Sequence, residues 1–309
     1  MEMNPYSYAS DEPHFNLHLK KTTPRWSRYA VDFPTAHPTN YEKTNVARGE
    51  YFQPRGATNA PLAILLHGMG DRSVIPCRLL ARTLARKGIA SFILYLVFHS
   101  SRMPEAISNR LPALTHDEWL ESYQVSVIDV RRVIDWAGGR AELNQEQVAV
   151  IGISFGGFIS AIAMGVDERI KVGVFITSGG NLGKVARLSK TFGRRIGYEG
   201  TEEEYRNTQR RYKRYLDQVA EKGFENVTPA EKGFLTDPMT FASTIRQRSL
   251  LMINARWDWI IPKEATIDFW EACGKPTITW LPGTHTTIWL LYPFIDRKIA
   301  RFLTSTLEI

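Results

Sequence analysis

Three residues in this chain have the types and the chain order that nucleophilic catalysis by a serine requires. Ser154 sits in Gly152-Ile153-Ser154-Phe155-Gly156-Gly157, Asp258 in Arg256-Trp257-Asp258-Trp259-Ile260-Ile261-Pro262, and His285 in Leu281-Pro282-Gly283-Thr284-His285. A hydroxyl attacks poorly until a base takes its proton, and an imidazole base needs a carboxylate to orient it and stabilise its charge. Glycines two positions either side of Ser154 fit a sharp, strained turn, because a Cβ there would strike the adjoining strand or helix.

Such residues do nothing unless regular elements bring them to one place. The β-branched run Val148 to Ile151 enters the glycine turn, and small residues at Ala161, Ala163 and Gly165 continue as a helix would, so the spacing predicts strand, turn, helix. Asp258 follows the predicted strand Leu250 to Asn254, and His285 follows the predicted strand Pro276 to Leu281. In a parallel sheet the C-terminal ends of the strands share one edge, which is where ligands bind.

The rest of the chain alternates in the same way. Tyr29 to Phe33 and Val46 to Phe52 read as an antiparallel hairpin at a sheet edge, and Pro61 to His67, Ala90 to Phe98 and Lys171 to Thr177 as buried strands. Leu79, Leu80 and Leu84 form a helical stripe closed by Gly88. Thr115 to Glu118 is a capping box opening a long helix that carries Trp119, Tyr123, Val127, Val130 and Ile134 and stops at Gly138-Gly139. Pro262 to Ala272 and Thr286 to Leu303 are the last predicted helices. Strand and helix in alternation imply an α/β class with a mostly parallel central sheet and helices on both faces. The alternation breaks at residues 182–241, which are charged and helical with capping boxes at Thr201 to Glu204 and Thr228 to Glu231; they are expected to be an inserted helical cap. The expected division is an arm at 1–24, laid on the surface or partly disordered, and a core at 25–181 and 242–309.

Composition narrows the partners. The chain has 309 residues, 43% hydrophobic and 11% aromatic, enough for one large domain with an insertion. No apolar run approaches the ~18 residues of a membrane span, and Met1 to Lys20 lacks the basic start and apolar block of a signal peptide. Cys77 and Cys273 are far apart in sequence and neither lies in a Cys-x-x-Cys spacing, so neither a disulfide framework nor a zinc site is expected and a reducing cytoplasm is the default; no other metal and no cofactor is expected. The net charge of +7 is concentrated in Lys184 to Lys222, but acidic residues are interleaved there as on a solvated helix face, and nucleic acid is not an expected partner. A homo-oligomer is left open.

With these residues in place the chain resembles an α/β-hydrolase with a helical cap. The carriers are Leu65-Leu66-His67-Gly68-Met69-Gly70, Gly152-Ile153-Ser154-Phe155-Gly156-Gly157, Asp258 with Pro262 four residues on, and Gly283-Thr284-His285. Gly-x-Ser-x-Gly-Gly-Phe is also similar to the prolyl-oligopeptidase and dienelactone-hydrolase branches. The resemblance covers roughly Tyr29 to the C-terminus and implies acyl transfer through an acyl-serine. It implies that the oxyanion is held by the backbone N–H groups of Phe155 and Met69, with Gly70 as the alternative to Met69.

Each residue also has a plainer reading. Ser154 may be set against an ordinary turn serine, and Asp258 against a helix cap; its rival for the acid is Asp237, in Asp237-Pro238. His116, His99 and His67 compete with His285, His67 being better suited to packing beneath the oxyanion loop. Trp257, Trp259 and Trp289 flank the acid and base loops and are candidates for an acyl pocket or for core. The expected activity is hydrolysis of a small-molecule carboxylic ester. An aminopeptidase or amidase, or a non-catalytic binding protein on the same fold, are the alternatives.

Overall fold

The computed structural model describes residues 4–9, 14–70, 74–97, 99, 101–109, 114–195 and 198–308. Three antiparallel strands come first: Asn16–Thr22 (β1), Trp26–Pro34 (β2) and Val46–Pro54 (β3). Six mutually parallel strands follow: Ala60–Leu66 (β4), Ala90–Tyr95 (β5), Leu143–Ile153 (β6), Ile170–Ile176 (β7), Ser249–Ala255 (β8) and Thr277–Leu281 (β9). They join in one sheet, in the order β1-β2-β3-β5-β4-β6-β7-β8-β9. Among the described residues only the pairings β1–β2, β2–β3 and β3–β5 are antiparallel.

Helices cover both faces because alternate residues of the central strands point opposite ways. Leu62, Ile64, Leu66, Val148 and Val150 face one cluster, packed by His116–Gly138 (α2), Phe155–Val166 (α3) and Lys263–Ala272 (α7). Ala63, Leu65, Ala149 and Ile151 face the other, with Val74–Arg86 (α1) and Tyr292–Thr306 (α8). Between β7 and β8 the chain leaves the sheet and forms Leu182–Leu188 (α4), Lys190–Arg195 (α5) and Glu202–Lys222 (α6), then short 3-10 turns. The interleaved charges of α6 face water, Glu202 bridging Arg187 and Arg206. This is the α/β architecture with a mostly parallel sheet that the alternation predicts.

Three local expectations are corrected. Within 1–24, residues 16–22 are the edge strand β1 instead of an unpatterned arm, with a register irregularity between Leu19 and Lys21. The segment is tied down by aromatics: Phe15 stacks on Phe33 at 3.9 Å, and the buried Tyr6 donates its hydroxyl to the Leu235 carbonyl at 2.7 Å. Residues 1–3 and 10–13 lie outside the described residues, as does Phe98, the expected end of β5. The capping box at Thr201 forms and starts α6. The one at Thr228 does not; a 3-10 turn begins instead at Lys232, where Phe234 and Leu235 are drawn into the core. The final helix is split, because Pro293 lacks an N–H and occupies the first turn of α8, preceded by a 3-10 turn at Thr287–Leu291.

Candidate active site

Ser154 links β6 to α3 with φ 53° and ψ −116°, a conformation unusual for a residue with a Cβ. The surrounding structure holds it there. Its N–H donates to the Ile176 carbonyl of β7 at 2.8 Å, and its own carbonyl accepts from the Gly157 N–H at 2.8 Å. The flanking glycines are a steric necessity: a Cβ on Gly156 would lie 2.2 Å from the Leu66 carbonyl oxygen, and one on Gly152 2.3 Å from that of Gly156. The turn thus lets α3 pack directly against β4 while lifting the serine side chain off the sheet.

Asp258 follows β8 and His285 follows β9, so both reach the sheet edge that carries Ser154. The His285 Nδ1 lies 2.8 Å from the Asp258 Oδ2, and its Nε2 lies 2.9 Å from the Ser154 Oγ. With the Nδ1 proton donated to the carboxylate, Nε2 is the acceptor facing the hydroxyl. The other carboxylate oxygen accepts the N–H groups of Ile260 and Ile261, both at 2.9 Å. Asp258 is therefore held by its own loop, and His285 and Asp258 are both largely screened from water.

The rivals lie elsewhere. Asp237 is buried in the neck of the insertion, accepting the N–H groups of Asn181, Leu182 and Met239. Burial pushes its carboxyl up to about 6 despite those donors. His99 stacks on Tyr95 at 4.2 Å, and His116 opens α2. His67 is fully buried; its Nε2 accepts from the Leu96 N–H at 3.0 Å and its Nδ1 is 2.5 Å from the Gly68 carbonyl, so it braces the loop carrying Met69.

Ser154 and His285 stand in a cavity of about 350 Å³ whose walls include Gly68, Met69, Phe155 and Trp289. Met69 and Phe155 are thus both beside the serine, Phe155 as the first residue of α3. Of the three tryptophans expected at a pocket, only Trp289 lines it. Trp257 and Trp259 are 63% and 52% exposed and do not contribute to its wall, because their loop turns its flanking isoleucines inward in their place. Phe158, Ile260, Ile261 and Phe192 add to the apolar lining. Sequence reasoning missed Phe158, Ile260 and Ile261, of which only the Ile260-Ile261 pair beside Asp258 carried a local signal; Phe192 is one of the insertion aromatics that the sequence offers for the apolar underside of a cap.

Among the described residues no helix is long and apolar enough to cross a membrane, and no three His, Cys, Asp or Glu side chains are grouped to hold a metal.

A family model described as the alpha/beta hydrolase fold matches residues 61–195. Two uncharacterized proteins of Mycobacterium tuberculosis, from strains CDC 1551 / Oshkosh and ATCC 25618 / H37Rv, are each 23% identical over 184 residues, 59% of this chain and 37% of theirs. The chain thus spans little more than a third of the length of these relatives. The acetyl xylan esterase from Paenibacillus sp. R4 superposes with a TM-score of 0.66 at 19% identity, over 96% of this chain and 90% of that one. The acylaminoacyl peptidase of Pyrococcus horikoshii does so with a TM-score of 0.63 at 16% identity, over 92% and 42%. Together with the sheet order and the strand-turn-helix at Ser154, these likenesses show that the chain has the α/β-hydrolase fold.

Proposed function

We propose that the chain hydrolyses small-molecule carboxylic esters through an acyl-Ser154 intermediate. The observation that carries this reading is the unbroken line from Asp258 through His285 to Ser154, at 2.8 and 2.9 Å, opening into an apolar cavity. In the first step the Ser154 Oγ attacks the ester carbonyl carbon while its proton passes to the His285 Nε2. Asp258 stabilises the imidazolium through its Nδ1–H. The negative oxygen is assigned to the backbone N–H groups of Met69 and Phe155, where each donor typically contributes about 3 kcal/mol to the transition state. The alcohol then leaves with the proton from Nε2. Water, deprotonated by the same nitrogen, attacks the acyl carbon and releases the acid, restoring the serine hydroxyl.

Residues 182–241 are assigned as a helical cap. They leave the sheet after β7, at the strand ends that carry the reacting groups, Asp237 near their end grips the Asn181 N–H near their start, and Thr191 and Phe192 of α5 reach the cavity wall. Structural neighbours named as esterases support an ester over an amide. The acylaminoacyl peptidase among them keeps the amidase alternative in view. Treating the full chain with a fluorophosphonate and measuring intact mass tests the reading: one adduct should form, and none on Ser154→Ala. Faster turnover of amino-acid anilides than of p-nitrophenyl esters would replace it with an amidase. Neither labelling nor turnover would leave a non-catalytic binding protein.

A further inference from the structure

Beneath α4 and α6 lies a second cavity of about 740 Å³, larger than the one holding Ser154. Its walls carry a group of aromatic rings, Trp119 and Tyr123 from α2, Phe192 from α5, Tyr198 from the following loop, and Tyr205 and Tyr212 from α6, set among polar side chains of α6 such as Thr208 and Gln209, which are themselves bonded to Arg211 and Asn181. Phe192 also lines the smaller cavity of about 350 Å³ around Ser154, so the two meet at this one half-buried ring. Phe155, which lines the Ser154 cavity, also meets Tyr123, which lines this one, edge-on at 5.4 Å.

The carboxylates and the guanidinium that reach this cavity are already engaged. Arg211 binds Glu231 at 2.6 Å, Glu204 accepts from the N–H and hydroxyl of Thr201 in its capping box, and Asp237 is saturated by backbone N–H groups. A charged ligand would meet aromatic faces and occupied partners, whereas a neutral flat ring would meet surfaces suited to stacking. The partition is also anchored to the chemistry. Ser189 Oγ accepts from the Phe192 N–H at 3.1 Å and donates to the Trp259 carbonyl at 2.9 Å, next to Asp258 in the chain.

We infer that this aromatic cavity is a second subsite, taking a neutral ring-bearing part of the substrate remote from the reacting carbonyl, and that Phe192 sets how much of a substrate reaches it. The inference rests on the ester-hydrolase reading for its connection to catalysis, but the binding it claims is measurable without turnover. The probe is 2-naphthol, titrated calorimetrically into the full chain. Saturable one-to-one binding should persist after Ser154 has been modified by a small fluorophosphonate. It should weaken about tenfold or more in Ala186→Phe, where the new ring fills space that the cavity offers a ligand. Independently, Phe192→Ala should raise kcat/KM for longer acyl chains over acetyl by about fourfold for each methylene that enters the freed space. Loss of naphthol binding on Ser154 modification, unchanged binding in a folded Ala186→Phe protein, or an unaltered chain-length preference in Phe192→Ala would each overturn the assignment. Naphthol binding that is abolished by Ala186→Phe, in a protein that neither labels nor turns over esters, would uphold the subsite and sink only the hydrolase reading.

Discussion

Asp237 accepts the Asn181 N–H at 2.8 Å, so a carboxylate where the insertion ends grips the backbone where it begins. The same side chain accepts the N–H groups of Leu182 and Met239. One residue therefore closes the neck of the whole segment, and its replacement should loosen the helices over the aromatic cavity before it disturbs the sheet.

Asp237→Asn should lower stability by about 2 kcal/mol near neutral pH, because an amide turns a donor toward backbone N–H groups that then lack an acceptor in a buried site. The pH dependence has a definite sign. Burial pushes this carboxyl up to about 6, above the ~3.9 of an unfolded aspartate. The folded state therefore holds the proton more tightly, and this group's contribution falls as pH rises from about 4 to about 6, then levels off. Unfolding by urea across that range should show the wild-type advantage over Asp237→Asn shrinking toward pH 6; an advantage that grows would contradict the assignment.

Ser154→Ala should reduce ester hydrolysis by at least about 10⁴-fold. Its Tm should move little, since alanine keeps the Cβ and hence the unusual backbone. Ser154→Gly should be equally inactive but more stable by about 1 kcal/mol, as glycine accepts φ 53° without cost. Equal Tm values for the alanine and glycine variants would mean that the turn stores no strain.

His285→Ala should be as inactive as Ser154→Ala, while His99→Ala and His116→Ala retain most ester turnover. Parallel rate measurements on the three variants decide this. A dead His116→Ala enzyme would transfer the base to α2 and break the proposed mechanism.

Gly156→Ala should damage both fold and activity. Its Cβ would meet the Leu66 carbonyl oxygen at 2.2 Å, and backbone in the middle of a parallel sheet yields only by displacing α3. A loss of about 1–3 kcal/mol is expected from overpacking, with at least a tenfold fall in kcat. Gly233→Ala, where an added Cβ meets nothing within 4 Å, is the control and should behave as wild type. Wild-type kinetics in Gly156→Ala would show that the contact relaxes without moving Ser154.

The parts of this architecture that could be read ahead of the structure are those where burial is written into consecutive residues. Val148 to Ile151 had to be a covered strand, and the positions of Asp258 and His285 followed from counting strands. β1 escaped because it is exposed along nearly its whole length, so Asn16–Thr22 has no buried face to impose a pattern. What holds it in place is Phe15 stacked on Phe33 and Trp136, contacts between residues far apart in the chain. Thr228-Pro229-Ala230-Glu231 had the local chemistry of a helix start, but the need to bury Phe234 and Leu235 won over it. Trp257 and Trp259 failed for a related reason: their neighbourhood was legible, whereas the side of the loop on which each ring would lie was not.

β1 has one further effect, which concerns what the sheet does not do. A nine-stranded sheet ending in an open strand offers a row of unsatisfied backbone groups on which a strand of another molecule can grow. Here the last strand carries Lys20 and Lys21, both exposed, and its register slips between Leu19 and Lys21. An incoming chain would have to follow that irregular ladder while placing its own groups beside two ammonium charges. This edge is thereby a poor template for fibril-like stacking, so a strand that adds almost nothing to the core still shields that side of the sheet.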